Sequence, residues 1–322
     1  MKKNSPFLYV AFFLLCWVVL LGQLYEKGKH SKALIYAEIP EETIRFFEYL
    51  SSQLDLLIRY DPNIRLKDWK NKHNYGEDPR TGLAKIEDEN FIIYFNDEGK
   101  EIQKARKILD WANDGIPLLI DLLGKYPYPT DVHSRKLPVY FADNDDRYAE
   151  IVTILLGAPY KNIKNTAGLY ISSYSRLGNM TTGIVLSPVI WRTDTYAREV
   201  LWHEMNHYGY FTWIEYDKAV CQYMWVYEGL AEYFSREEKN LSPVQAQLCL
   251  QYSLSATFPN YLANYWGGES VFRFIESGYG KEHVRKFVYC TYANTVDDAA
   301  TSTFDKNLIR IEEEWKEWLN NE

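Results

Sequence analysis

Along the chain, hydrophobic positions change spacing three times, and each change marks a different kind of segment. Lys2 and Lys3 precede an uncharged span from Asn4 to Tyr25 whose apolar heart runs from Phe7 to Leu21. That length suits a membrane helix of about 20 residues. No small-residue cleavage site follows, since Leu20-Leu21-Gly22-Gln23-Leu24 is a poor match, and Leu15 before Cys16 is too large for lipoprotein processing. Residues 1–25 are therefore expected to form an uncleaved signal anchor, with a cleaved signal peptide as the alternative. Lys27, Lys29 and Lys32 blunt the positive-inside signal. The expectation is a single-pass protein with its bulk outside the cytoplasm, or a secreted one if the signal is cleaved.

Residues 26–89 read as a tether and a packing helix. Pro40 stands at a first-turn position with Glu41 and Glu42 beside it, and Ile44, Phe47, Leu50, Leu54 and Leu57 form a stripe at helical spacing through Tyr60. Residues 61–88, rich in charge, Asn, Gly and Pro, are expected to be an irregular connection. The main domain is placed at 90–322.

Phe91–Phe95 and Leu137–Phe141 are short β-favouring runs, and Gly168–Ile171 with Gly183–Leu186 predict two more strands turning at Gly178-Asn179. Between the first two, Ile102, Ala105, Ile108, Leu109 and Ala112 predict a helix that continues past Pro117, with a break, to Gly124. Asp143–Asp146 lacks the spacing of a calcium loop and reads as a solvated helix start. Asp194 or Thr195 then caps a helix expected to stop near Gly209. After it the pattern is almost wholly helical. The switch predicts an α+β fold, a sheet half joined to a helical half, and ligand sites favour such junctions.

The junction helix carries His203-Glu204-Met205-Asn206-His207, an H-E-x-x-H pattern. Residues four apart share a helix face, so both histidines can reach one ion, while Glu204 can reach a water on it without binding it. A second acidic helix follows, with Glu228 and Glu232 four apart, and Glu228 is the candidate third ligand.

Composition narrows the classes. At a net charge of −8 the chain offers no phosphate-binding surface, so nucleic acid is not an expected partner. Aromatics make up 16% of residues, including 27 Tyr, which favours an aromatic-rich core over a sugar-stacking platform. The cysteines Cys16, Cys221, Cys249 and Cys290 form no C-x-x-C pair, which leaves free thiols or one disulfide among the last three. Asn179 and Asn240 head glycosylation sequons.

The pentad, taken with Trp225-x-x-Glu228-Gly229-Leu230-Ala231-Glu232-Tyr233, resembles the gluzincin metallopeptidases, particularly the peptidase-MA-like group. The likeness covers roughly residues 90–290. It implies a thermolysin-like zincin with a small mixed sheet half and a helical half. It also implies Zn2+ held by His203, His207 and Glu228, Glu204 as general base, and Glu232 steadying a ligand histidine. Tyr265-Trp266-Gly267-Gly268 is similar to the Y-x-x-G segment of related aminopeptidases, which implies an oxyanion role for Tyr265; Tyr261, one turn earlier, is the alternative, and a structural role for Tyr265 stays open. The G-A-M-E-N signature of aminopeptidases is absent and the spacing to Glu228 is longer than is commonest in them, so aminopeptidase specificity is not implied.

The expectation is a membrane-anchored zinc metallopeptidase acting on a peptide or protein through a zinc-bound water. Two alternatives stand beside it: a non-catalytic tethered binding or envelope protein of the same fold, and a zinc hydrolase of a non-peptide amide. A non-catalytic domain has no chemical need for Glu204.

Overall fold

The sheet half is built around central strands that alternate between two buried faces. A computed structural model describes residues 76–77, 81–96, 101–123, 136–156, 166–174, 180–213, 223–236, 241–292 and 294–321. The expected signal anchor at 1–25, the tether, the helix from Pro40, the Gly178-Asn179 turn, Cys16, Cys221 and both sequon asparagines lie outside these residues. Among the described residues no helix is long and apolar enough to cross a membrane.

The strands are β1 (Gly76–Glu77), β2 (Ala84–Glu87), β3 (Phe91–Phe95), β4 (Leu137–Phe141), β5 (Gly168–Tyr174) and β6 (Met180–Leu186), in the spatial order β1-β2-β3-β4-β6-β5. The pairs β3/β4 and β4/β6 are parallel, while β1/β2, β2/β3 and β5/β6 are antiparallel. The sheet is thus mixed. The parallel pairs need crossovers, and α1 (Glu101–Leu123) and α2 (Asp145–Leu156) lie in them.

Period-two alternation sends Phe91, Ile93 and Phe95 of β3, Leu137, Val139 and Phe141 of β4, and Ile184 and Leu186 of β6 into one core. The residues between them, Tyr94, Tyr140 and Val185, join a second cluster with Tyr148, Ile151, Val152 and Leu155 of α2. Both faces of the central strands are therefore covered. Tyr94 and Tyr140 stack at 4.5 Å between centroids, a same-face pair across the parallel register.

Three expectations are corrected here. The stretch 61–88, read as irregular, supplies β1 and β2, and the boundary at Asn90 falls inside a hairpin: Ala84 pairs with Phe95 and Glu87 with Ile92. Only four residues alternate in β2, too few to stand out among charged neighbours. The helix expected to break at Pro117 runs on to Leu123, with Leu119, Leu122 and Leu123 buried. The third concerns the junction helix, α3 (Asp194–Trp213), which passes through Gly209 rather than stopping there. Tyr208 and Tyr210 on either side are buried, and that burial outweighs the glycine cost of about 1 kcal/mol. Its N-terminus is held by Thr193, whose Oγ1 accepts from the Tyr196 N–H, one residue earlier than expected.

The helical half follows as α4 (Met224–Ser235), α5 (Pro243–Cys249), α6 (Ala263–Tyr279), α7 (Lys281–Thr291), α8 (Val296–Phe304) and α9 (Leu308–Leu319). The most extensive helix contact is α4 on α6. It is a crossing of glycines: a Cβ on Gly229 would lie 2.3 Å from the Gly268 carbonyl carbon, and one on Gly268 would lie 2.4 Å from the Trp225 oxygen. Trp225 anchors the same end of α4, fully buried, with its Nε1–H donating to the Leu254 carbonyl at 3.1 Å. Cys249 and Cys290 are free thiols, and burial pushes the Cys249 thiol up to about 12. The fold is α+β, with α3 at the junction of the halves.

Candidate metal centre

Three helices converge where the sheet half meets the helical half. On one side α3 is fixed to α1 by Trp202, whose indole N–H donates to the Trp111 carbonyl at 2.7 Å. Gly115 of α1 makes room for that ring, since a Cβ there would come within 2.9 Å of the Trp202 Nε1. The other side of α3 presents His203 and His207 toward α4 and Glu204 toward β5. All three are buried, as are Glu228 and Glu232.

The His203 Nε2, His207 Nε2 and Glu228 Oε2 atoms form a small triangle. The nitrogens are 3.0 Å apart, and each lies 3.2 Å from the carboxylate oxygen. A tetrahedral ion with bonds of about 2.0–2.2 Å separates its ligand atoms by about 3.3–3.5 Å, so the triangle is within about half an ångström of that spacing. These residues are the described group of His, Cys, Asp and Glu side chains close enough together to hold an ion. Two imidazoles and one carboxylate form a donor set that suits zinc. The residues present fit such an ion.

Electrostatics follow from the crowding. Burial opposes a charge on His203, but hydrogen bonds to Glu228 and Glu232, with the charge of Glu204, outweigh it and push its pKa up to about 10. Burial also works against the Glu228 charge, yet the His207 charge and the bonds from both imidazoles hold its carboxyl well below the usual range. Glu204 goes the other way. Its burial, reinforced by the Glu228 charge, raises it, and the two histidines and the Tyr170 N–H offset only part of that.

Glu204 stands beside the triangle, at the free side of β5. Its Oε2 accepts from the Tyr170 N–H at 2.7 Å. Gly168 permits this approach, because a Cβ there would sit 2.8 Å from Glu204 Oε1 and 2.7 Å from Val200 Cγ1. Glu232, one turn after Glu228, lies with Oε1 3.2 Å from His203 Nδ1, on the far side of the ring from the triangle. The His207 Nδ1 has no hydrogen-bond partner among the described residues.

Tyr265 of α6 lies parallel to the His203 ring, 5.7 Å between centroids and 11° between planes. Its hydroxyl is 2.8 Å from that of Tyr261, so the two alternative tyrosines share one hydrogen bond at the rim. Burial, then the Glu228 charge and the bond to Tyr261, raise the Tyr265 pKa, so its proton is retained at neutral pH.

Each site residue expected from sequence is brought to this one place. Sequence reasoning missed Gly168 and the Tyr170 N–H, which set Glu204, and Gly268, which lets α4 approach. It also missed Arg236 and Glu269, which continue outward from Glu232. The last two carried a readable signal: Glu232/Arg236 and Glu269/Arg273 are both acid-to-base pairs four apart on helices.

Compared with known proteins, the chain matches no family model and no curated protein.

Proposed function

We propose that this chain is a zinc-dependent metallopeptidase of the gluzincin type, with the thermolysin-like zincin arrangement, tethered to a membrane by residues 1–25. The observation that carries the reading is the triangle of His203, His207 and Glu228 with a buried carboxylate, Glu204, directly beside it. The membrane tether rests on sequence alone.

His203, His207 and Glu228 would hold the metal. Zinc bound there supplies Lewis acidity, lowering the pKa of a water to about 7 and polarising a carbonyl. Glu204 would accept the proton of the attacking water and pass it to the departing nitrogen. Its raised pKa brings the base closer to neutrality, where it can both accept and release a proton. Tyr265, or Tyr261 through their shared bond, donates toward the oxygen on which negative charge develops. Glu232 keeps the proton on His203 Nδ1, which leaves Nε2 free to ligate.

A peptide substrate is favoured by where Glu204 sits. Among the described residues β5 is the end strand of the sheet, and in antiparallel pairs a residue's N–H and C=O point the same way. The Tyr170 N–H that Glu204 accepts from points away from β6, and on our reading an extended peptide would add along that side of β5, beyond Glu204.

The test is Glu204→Gln in the full chain, assayed for zinc content and for chelator-sensitive cleavage of a peptide library. The variant should keep one zinc and lose hydrolysis by at least about a hundredfold. Cleavage equal to the parent's would overturn the mechanism. A parent that binds zinc but cleaves nothing would favour the non-catalytic alternative, and unchanged zinc in Glu228→Ala would remove the third ligand.

A further inference from the structure

A chain of alternating charges leads away from the back of His203. Glu232 touches His203 Nδ1 with one oxygen and pairs with Arg236 through the other. Arg236 Nη1 is 3.9 Å from Glu269 Oε2 on α6, and Glu269 Oε1 is 3.4 Å from Arg273 Nη2. Arg273 closes the chain back onto α4: its Nη2 donates to the Arg236 carbonyl at 2.6 Å, and its guanidinium lies over the Tyr233 ring at 4.7 Å. Glu232 and Glu269 are both buried, with side chains 8% and 4% exposed, so each charge depends on its partners, the arginines among them.

We propose that Arg236 is a positioning residue for the metal centre, acting through Glu232 on His203. The inference rests on the metal reading above. The geometry separates two tasks along one helix. Gly229, packed on Gly268, sets the height of α4 and so places Glu228. Arg236, two turns on, sets where the Glu232 carboxylate points. Without that partner the Glu232 carboxylate would lose the contact that aims it, and turning away from Nδ1 would release the His203 ring. A ring freed at Nδ1 can rotate Nε2 away from the other two donors. Glu269 fixes Arg236 in turn, from the helix that also carries Tyr265. The two helices that border the centre are therefore tied both by charge, Arg236 to Glu269, and by glycine contact, Gly229 on Gly268.

The test uses the full-length chain, stripped of metal and titrated with Co2+, with the visible absorption of cobalt reporting ligand geometry and competition with a chelator giving affinity. Melting temperature is followed for every variant. Arg236→Gln should weaken metal binding by about tenfold or more and alter the cobalt spectrum, and Arg236→Lys should recover most of both. Arg310→Gln, on an exposed pair remote in the fold, should match the parent. If the parent takes up no cobalt and no zinc, the metal reading itself falls, and this inference with it. If the parent binds and Arg236→Gln binds equally with the same spectrum, the positioning role is overturned while the metal reading stands. Equal losses in Arg236→Lys and Arg236→Gln would also overturn it, since the charge would not be the operative property. Should Arg236→Gln fail to fold, Glu269→Gln takes its place, with a weaker loss and a spectral shift of the same sense expected; an unchanged spectrum in that variant refutes the proposal.

Discussion

Replacing Gly229 by alanine adds one methyl group at the glycine crossing of α4 and α6, one residue from Glu228. Its Cβ would meet the Gly268 carbonyl carbon at 2.3 Å, the Gly268 Cα at 2.4 Å and the Glu269 nitrogen at 2.8 Å. Carbon atoms rest at about 3.5 Å, so the helices must part by roughly 1.2 Å. All three obstacles are backbone, and no side chain can rotate away. Overpacking costs typically about 1–3 kcal/mol, and the upper end applies against backbone. Alanine regains about 1 kcal/mol of helix propensity, which leaves roughly 2 kcal/mol of destabilisation. For a domain of this size that corresponds to a melting temperature lower by roughly 4–8 °C. The same displacement moves Glu228 several times further than the tolerance of about 0.2 Å on a metal–ligand distance. Gly229→Ala is therefore expected both to melt lower and to lose zinc. Melting curves recorded with and without chelator separate the two, because the backbone clash persists in stripped protein. Gly268→Ala should do the same, and the double variant should cost less than the two singles added, since both force apart the same crossing. A Gly229→Ala protein that melts within a degree of the parent and carries equal zinc would refute the close approach as the device that places Glu228.

Two further glycines on α6 and at its end should respond in opposite directions. Gly278 meets nothing closer than 3.7 Å, so Gly278→Ala should be neutral or raise stability by up to about 1 kcal/mol, whereas Gly280, at φ +90°, should lose about 1–3 kcal/mol as alanine; thermal melts that rank them the other way would contradict the α6–α7 geometry. Zinc uptake should be proton-linked. The His203 pKa of about 10 stands above its ordinary value of about 6.5, so near neutral pH the metal must displace a proton from it. In stripped protein this group therefore favours the folded state fully below about pH 6.5, and the contribution is lost as pH rises toward 10. Calorimetry in buffers of differing ionisation enthalpy should find about one proton released per zinc, with affinity rising with pH, and a release of zero would contradict the hydrogen bonds drawn to His203.

The parts of the site that sequence exposes are those fixed by local geometry. His203 and His207 are bound to share a face because a helix repeats every 3.6 residues, and Glu228 with Glu232 repeats the argument one helix later. The α+β character was equally readable, since β3 and β4 are unbroken apolar runs and the helical half shows its period directly. What escaped depended on partners distant in the chain. Lys85 and Glu87 occupy the polar positions of β2, and only its pairing with β3 explains why Ala84 and Ile86 are buried. Gly209 carries a stop signal that the flanking aromatic burial overrides. Gly229 and Gly268 are 39 positions apart, and neither reveals the other.

That division has a chemical reading. The donor atoms of the centre come from short-range periodicity, yet their mutual distances depend on long-range contacts: Trp202 on Trp111, Gly229 on Gly268, Gly168 under Glu204. A motif can therefore persist in a chain whose supporting contacts have been lost, and it would then bind metal poorly or without catalysis. Here the supports are present on three sides. The sheet edge holds Glu204, the proposed general base, through the Tyr170 N–H, next to the strand proposed to receive the peptide. The metal donors belong to α3 and α4, and the charged chain through Arg236 joins α4 to the helix that carries Tyr265. The proposed base and two of the proposed metal donors all lie on α3, which is therefore the element common to the sheet edge and the metal centre. A disturbance of α3 should uncouple everything at once, whereas a disturbance of β5 should spare the metal and affect only the chemistry.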